Sequence, residues 1–466
     1  EKPSFETLSA AKSIKDPGKR LKKIVETDDR VGAFAWAVTA HTLVYAGHRI
    51  PEIADTVHAV DQAMCWGFNR EIGPFVAWDA IGLVDSVARM KKEGLSIPLW
   101  IQTMVDAGHT SFYKEEGGQR FQYHPAKQEY IPIVEDPKVV HIKKLPSSQK
   151  VDSNDGATLW DMGDSVLLYE MHTKMNAVDN ETIEMLGKAV DAVEQGRFDA
   201  LVLANNGKNF SVGANLMLVL MAVQSDALGD VEKMLKSFQD VNMRMKYCRG
   251  PVIAAPVGYA FGGGLELCLH ADRVVGAAET YAGLVEVGVG LIPAAGGTKE
   301  FVLRAVEGVD MKNSPSLLPF VRNAFEHIAM AKVATSFKDA QALGILRGDD
   351  IMVAHPEHRI SRAKEVALGM LEMGYMPGHP REDIPVVGES GAAAFMIAVD
   401  GMKDAGWASP HDQLIANALA TIIGGGARAE GQTISEQELL DLERETFMRL
   451  LGEEKTLERI QHMLLN

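Results

Sequence analysis

The hydrophobic pattern divides the chain into three regions. DRVGAFAWAVTAHTLVYAG, Asp29 to Gly47, is apolar nearly all round, lacks proline and is flanked by charge, which predicts a buried helix. IPEIADTVHAVDQAMCWG, Ile50 to Gly67, predicts a second, with Pro51 in its first turn and Gly67 as its stop. PFVAWDAIGLVDSVARMKKEG, Pro74 to Gly94, and IPLWIQTMVDAG, Ile97 to Gly108, predict further helical segments. Residues 1–115 are thus expected to form a small all-helical domain. Its core is expected around Phe34, Trp36, Trp66 and Trp78, because large aromatics dominate core burial.

After Gly108 the pattern is lost. SFYKEEGGQRFQYHPAKQEYIPI reads as a hairpin or strap, and EDPKVVHIKKLPSSQKVDSNDG is rich in Lys, Pro, Ser and Asp. A linker is expected over 116–155. Over 156–345 strands and helices alternate. ATLWDMGDSVLLYEM predicts two strands about a turn, NETIEMLGKAVDAVEQG an amphipathic helix and FDALVLANNG a buried strand. Such a unit implies a parallel pair with a right-handed crossover. VEKMLKSFQDVNMRMKYC continues as a helix, VIAAPV and RVVGAA as strands. Residues 346–466 are expected to be a helical extension. The expected fold is multidomain: an all-α N-terminal domain, an α/β domain and a long helical C-terminal extension.

Charge and cysteine content narrow the function classes. The 47 basic and 63 acidic residues leave −16 at neutral pH, which argues against a nucleic-acid binder. Cys65, Cys248 and Cys268 are odd in number and lack CxxC spacing, so a reducing cytoplasm is expected rather than a disulfide framework. No run of 18 apolar residues predicts a membrane span. His172 and His270 stand outside any ligand spacing, and no metal is expected. There is no GxSxG elbow for a serine hydrolase. An opening Glu1 rather than Met suggests a start inside a longer gene product.

Three segments carry candidate chemistry. In GYAFGGGLEL, Gly258 to Leu267, three glycines precede Glu266. They permit close approach, and a helix starting beyond them would present free N–H groups to an anion. The triplet alone is equally consistent with a strained turn. In NNGKNFSVGANL, Asn205 to Leu216, Gly207 and Gly213 follow a strand at the edge where open sheets bind ligands, although an ordinary βα loop reads the same way. In LVEVGVGLIPAAGGT, Leu284 to Thr298, Glu286 sits among Val, Leu and Gly. A cap or a salt bridge to a residue such as Arg273 would explain it. So would pairing with Glu266 for general acid/base work, if the fold brings the two together.

FSVGANL, GYAFGGGLEL and VEVGVGLIPAAGGT, with HTKMNAV upstream, resemble the enoyl-CoA hydratase/isomerase (crotonase) superfamily over roughly 157–345. The resemblance implies a spiral ββα fold and an oxyanion hole formed by the amides of Val212 and Gly263. It implies Glu266 and Glu286 as catalytic, and hence hydration of trans-2-enoyl-CoA to 3-hydroxyacyl-CoA. A Δ3-Δ2 isomerase and a non-catalytic assembly module are the alternatives. Lys174, Lys208, Gly213 and Ala214 are expected at the coenzyme A, and Met217, Leu218 and Leu220 at the acyl chain. Asn215 departs from the Asp of many members and is read as structural.

WGFNREIGPFVAWDAIGL, with IADTVHAVDQAM before it, resembles the C-terminal helical domain of 3-hydroxyacyl-CoA dehydrogenases. No glycine-rich dinucleotide loop is present. The resemblance implies that NAD belongs to an absent dehydrogenase part, leaving the CoA thioester as substrate and no cofactor here. It also implies a β-oxidation fusion protein, a homo-oligomer and a thiolase as a further partner.

Overall fold

The computed structural model describes residues 5–309 and 316–465. The chain divides into two compact units, Glu1–Asp136 and Pro137–Asn466.

Among the described residues the first unit carries seven helices: α1 (Glu6–Lys12), α2 (Pro17–Val25), α3 (Arg30–His48), α4 (Val57–Phe68), α5 (Pro74–Ile81), α6 (Leu83–Lys92) and α7 (Leu99–Asp106). Side-chain caps set several starts. Asp29 accepts the N–H of Gly32, and Thr56 that of Ala59, so α4 begins seven residues later than its hydrophobic pattern predicts. The segment from Pro74 breaks at Gly82, whose φ of 96° ends α5.

The core holds Trp36, Phe75, Trp78, Phe112 and Tyr123. Phe34 and Trp66, expected there, are 72% and 53% exposed. The buried face of α3 runs through Trp36, Ala40, Leu43, Val44 and Gly47. Phe34 lies two residues before Trp36, which turns it to another face. On α4 the buried face is Val57, Val60 and Asp61, and Trp66 falls off it.

The expected linker is largely folded. An antiparallel meander, β1 (Tyr113–Glu116), β2 (Gln119–His124) and β3 (Glu129–Pro132), belongs to the first unit. Two carboxylates tie it to the helices. Asp79 accepts from the N–H groups of Phe112 and Tyr113 at 2.7 and 3.0 Å. Asp61 accepts from Phe75 N, Val76 N and the Tyr113 hydroxyl at 2.7, 3.0 and 2.7 Å.

In the second unit a seven-stranded sheet runs β12-β10-β8-β7-β6-β5-β4. Its strands are β4 (Lys150–Ser153), β5 (Ala157–Asp161), β6 (Val166–Met171), β7 (Ala200–Leu203), β8 (Val252–Ala254), β10 (Arg273–Ala277) and β12 (Ile351–Val353). From β6 to β12 all pairs are parallel, and β4 and β5 are antiparallel. A second parallel pair joins β9 (Gly258–Phe261) to β11 (Thr280–Gly283), and Ser211 bridges to Ala260 beside it. Successive turns therefore run from the large sheet to the small one and then to a helix, which is a ββα spiral.

Both faces of the large sheet are buried, so its parallel strands read as unbroken apolar runs. Leu201, Leu203, Val252 and Val274 enter the main core, while Ala200, Val202, Ile253 and Val275 meet α15 (Arg359–Glu372). Beyond residue 345, β12 extends this sheet and α15 packs on it. The remaining helices are α8 (Asn180–Glu194), α9 (Leu216–Gln224), α10 (Leu228–Lys246), α11 (Gly263–His270), α12 (Gly297–Val306), α13 (Leu318–Ala329), α14 (Phe337–Ala342), α16 (Gly388–Asp404), α17 (Pro410–Ile423), α18 (Glu436–Leu451) and α19 (Glu454–Leu465). A short ladder pairs β13 (Ile384–Pro385) with β14 (Thr433–Ile434). No helix among the described residues is long and apolar enough to cross a membrane.

Candidate active site

The spiral brings three glycine-rich segments to one cavity of about 1400 Å³. Gly262 ends β9, donates its N–H to Gly283 O at 3.0 Å and caps α11 with φ 51° and ψ −125°. Gly213 comes so close that a Cβ on it would lie 3.1 Å from Gly263 N. The backbones of Val212–Ala214 and Gly262–Gly263 therefore form one wall of the cavity. Among the described residues, no protein acceptor is found for the N–H of Val212 or of Gly263.

Glu266, in the first turn of α11, is 3% exposed. Its Oε1 accepts from Ala295 N and Gly297 N, both at 2.8 Å. Burial pushes this carboxyl up to about 7, against the pull of those two amides and of Lys299. Glu286 opens a single-turn helix, Glu286–Val289, and is only partly covered as a residue, but its Oε2 is buried without a partner among the described residues. Burial, and then the charge of Glu266, raise it well above the ordinary value. The two groups line the same cavity and compete for ionisation. The amide-bound Glu266 is better suited to carry the charge at neutral pH, leaving the proton on Glu286.

Val212, Gly213, Ala214, Lys174, Met217, Leu218, Gly263, Glu266 and Glu286 all line this cavity. Leu220 does not. It is buried in the core, whereas Met217, Leu218 and Val219 of α9 line the cavity. Lys208 is also off the lining, on the loop whose backbone packs against Gly258. Asn215 caps α9. His270 is buried, with Nδ1 2.7 Å from Glu266 O, and burial pushes its pKa down to about 3. Arg273 pairs with Asp349 at 2.7 Å.

The C-terminal helices supply groups that the motifs did not indicate. Phe447 of α18 and Arg459, His462 and Met463 of α19 line the cavity. Glu443 of α18 accepts from Gly296 N at 2.8 Å and Lys299 N at 2.5 Å, immediately beside the amides that hold Glu266. Burial and then Glu266 raise its carboxyl well above the ordinary value. Behind it, buried Lys299 reaches Glu300 and Glu436 at 2.7 and 2.9 Å, and Lys246 reaches the same pair at 2.6 and 3.2 Å. A sequence signal for Glu443 did exist. Leu439, Leu440, Glu443, Phe447 and Leu450 share the buried face of α18, an unusual place for a carboxylate.

Residues 161–308 match the family described as enoyl-CoA hydratase/isomerase. Over those residues the chain is similar to the crotonase family. Around them, 98% of the chain is 41% identical, over 460 residues, to a Bacillus subtilis (strain 168) protein named "Probable 3-hydroxyacyl-CoA dehydrogenase". The chain spans 57% of that relative, little more than half its length. Among solved structures, a carnitinyl-CoA dehydratase from Mycobacterium thermoresistibile is 16% identical with a TM-score of 0.47, covering 67% of this chain and 90% of its own. An enoyl-CoA hydratase from Bacillus halodurans is 16% identical with a TM-score of 0.45, covering 66% of this chain and 100% of its own. In the sequence, the helical N-terminal region precedes the matched residues and the helical extension follows them.

Proposed function

We propose that this chain hydrates trans-2-enoyl-CoA thioesters to 3-hydroxyacyl-CoA. The observation that carries the reading is a pair of competing carboxyls, Glu266 and Glu286, in one apolar cavity beside the amides of Val212 and Gly263. The thioester carbonyl would accept from those two N–H groups, which stabilise it most when it becomes an enolate-like oxyanion. Glu266, ionised, takes a proton from water as the water oxygen bonds the β-carbon. Glu286 delivers its own proton to the α-carbon. One water is added, and a proton passing from Glu266 to Glu286 restores the starting pair.

Lys174, Gly213 and Ala214 would meet the coenzyme A part. Met217 and Leu218, with Phe238 and Met463 across the cavity, would meet the acyl chain. The printed name of the Bacillus subtilis relative supports placing this activity in a longer protein that also oxidises the 3-hydroxyacyl-CoA product with NAD.

Crotonyl-CoA offered to the full chain tests the reading. Loss of the conjugated thioester absorbance, with 3-hydroxybutyryl-CoA as product, is expected. If a 3-enoyl-CoA gains that absorbance while crotonyl-CoA is left unchanged, the chain is an isomerase instead.

A further inference from the structure

The turn into α12 gives its backbone amides to two carboxylates in alternation. Ala295 and Gly297 donate to Glu266 Oε1, whereas Gly296 and Lys299 donate to Glu443 Oε2 and Oε1. A regular helix start directs its free N–H groups one way along the axis. Here Gly296, at φ 104°, turns its own N–H away from those of its neighbours. All four amides are buried and need acceptors, so neither carboxylate alone satisfies the turn. A second link runs in parallel. Gln239 Nε2 donates to both Ala294 O and Leu440 O at 2.8 Å, and Arg444 donates to Gln239 Oε1 at 2.7 Å. Helix α18 is thus fastened to the turn that holds Glu266.

We propose that Glu443 is a positioning residue for Glu266, acting through the amide turn Ala295–Lys299 that the two carboxylates share. For its consequence in turnover this rests on the hydratase reading; for its geometry it does not. With Glu443 in place, Gly296 and Lys299 are pinned from one side and Ala295 and Gly297 are presented to the other. Without it, the turn can rotate towards another acceptor, and the amides on Glu266 move with it. The role belongs to a helix that begins at Glu436, well beyond the crotonase-family match, which ends at residue 308. A purely structural cap would contribute to the stability of α12 and leave Glu266 as it is.

Two measurements on the full chain separate these roles, using Glu443→Gln, which puts an NH2 group against one of the two amides, and Glu443→Asp, which keeps the carboxyl with a shorter reach. The first is hydrogen exchange resolved at single amides. Ala295 and Gly297, whose N–H groups donate to Glu266 rather than to Glu443, should lose protection in both variants while the β7 and β8 amides keep theirs. Wild-type protection at those two amides would overturn the proposal whether or not the chain turns over enoyl-CoA. The second is a kinetic cycle with Glu266→Gln. Glu443→Gln should lower kcat by about 100-fold with KM unchanged, the usual size of a misplacement near 1 Å. In the Glu266→Gln background it should lower kcat no further. Losses that multiply in the double variant would show that Glu443 acts independently of Glu266 and overturn the assignment. If the wild-type chain hydrates no enoyl-CoA, the hydratase reading has failed and the exchange result alone decides the role of Glu443. Should Glu443→Gln not fold, the Asp variant is read by the same two criteria.

Discussion

Glu286 Oε1 stands 2.8 Å from the point that a Cβ on Gly262 would occupy. The first glycine of the triplet is therefore fixed by a close approach as well as by its backbone, which lies at φ 51° and ψ −125°. Gly262→Ala should cost about 1–3 kcal/mol of stability, the usual strain of a side chain forced into such a region. It should also push the Glu286 carboxyl aside and lower turnover by about 100-fold. A thermal melt and a crotonyl-CoA assay on the same preparation check both effects. Turnover retained in the folded variant would mean that Glu286 does not work from this position.

In the helical unit, Trp36 and Phe34 should behave as opposites. Trp36 is 5% exposed, donates its Nε1–H to Glu93 at 2.6 Å and lies under Arg89, whose guanidinium carbon is 4.0 Å from the ring centroid. Trp36→Ala should cost about 3–5 kcal/mol. Phe34→Ala, on the exposed face, should stay within about 0.5 kcal/mol of wild type. Denaturant melts of the two variants decide it, and equal destabilisation would contradict the placement of both.

The same pair shows where the sequence is legible. A helix over Asp29–Gly47 follows from apolar continuity, but continuity on nearly every side carries no moment to say which aromatic turns inward. The strands β6, β7, β8 and β10 are readable because both faces of a parallel sheet are buried and its strands show as apolar runs, whereas β9 and β11 of the small sheet are not. Glu266 and Glu286 were readable as candidates from their apolar company, and the cavity joins them. Leu220 reads like its neighbours Met217 and Leu218 in the sequence, but it lies in the core and off the cavity lining. The segment 113–132 reads as a hairpin or strap, but its docking is not legible, because its anchors are the carboxylates Asp61 and Asp79, far upstream in the chain. Glu443 shows as a carboxylate on an apolar helix face, but its partners Gly296 and Lys299, 147 and 144 residues away, are not legible from it.

The pH dependence of turnover should follow the two raised carboxyls. Glu266 is needed as a base, so activity is expected to fall as pH drops through about 7, where it takes up a proton. Glu286 is needed as an acid, and it is raised well above its ordinary value, so activity should fall again only when pH passes that higher point. The profile is a bell whose limbs belong to the pair rather than to single residues. A kcat profile on crotonyl-CoA checks it. An acid limb at the ordinary carboxylate range near 4.5 would contradict the burial of Glu266 as the source of its shift.

Replacing Glu266 with Gln should separate activity from stability in opposite directions. The folded pKa of Glu266, about 7, lies above its ordinary 4.5, so the native state holds more protons than the unfolded chain between those values. Stability from this group is therefore greatest below 4.5 and falls as pH rises through that window to about 7. Glu266→Gln keeps an oxygen to accept the N–H groups of Ala295 and Gly297 and removes the charge. At pH 4 it should melt with the wild type. At pH 8 it should be more stable, by about 1–3 kcal/mol from the linkage of such a shift. Hydration of crotonyl-CoA should nevertheless fall by about 100-fold or more, as for loss of a general base. Glu286→Gln should lose turnover likewise, with crotonyl-CoA affinity retained in both. A Glu266→Gln protein that is less stable than wild type at pH 8 and as active per folded molecule would make Glu266 a structural carboxylate, and the two-glutamate reading of the site would fall with it.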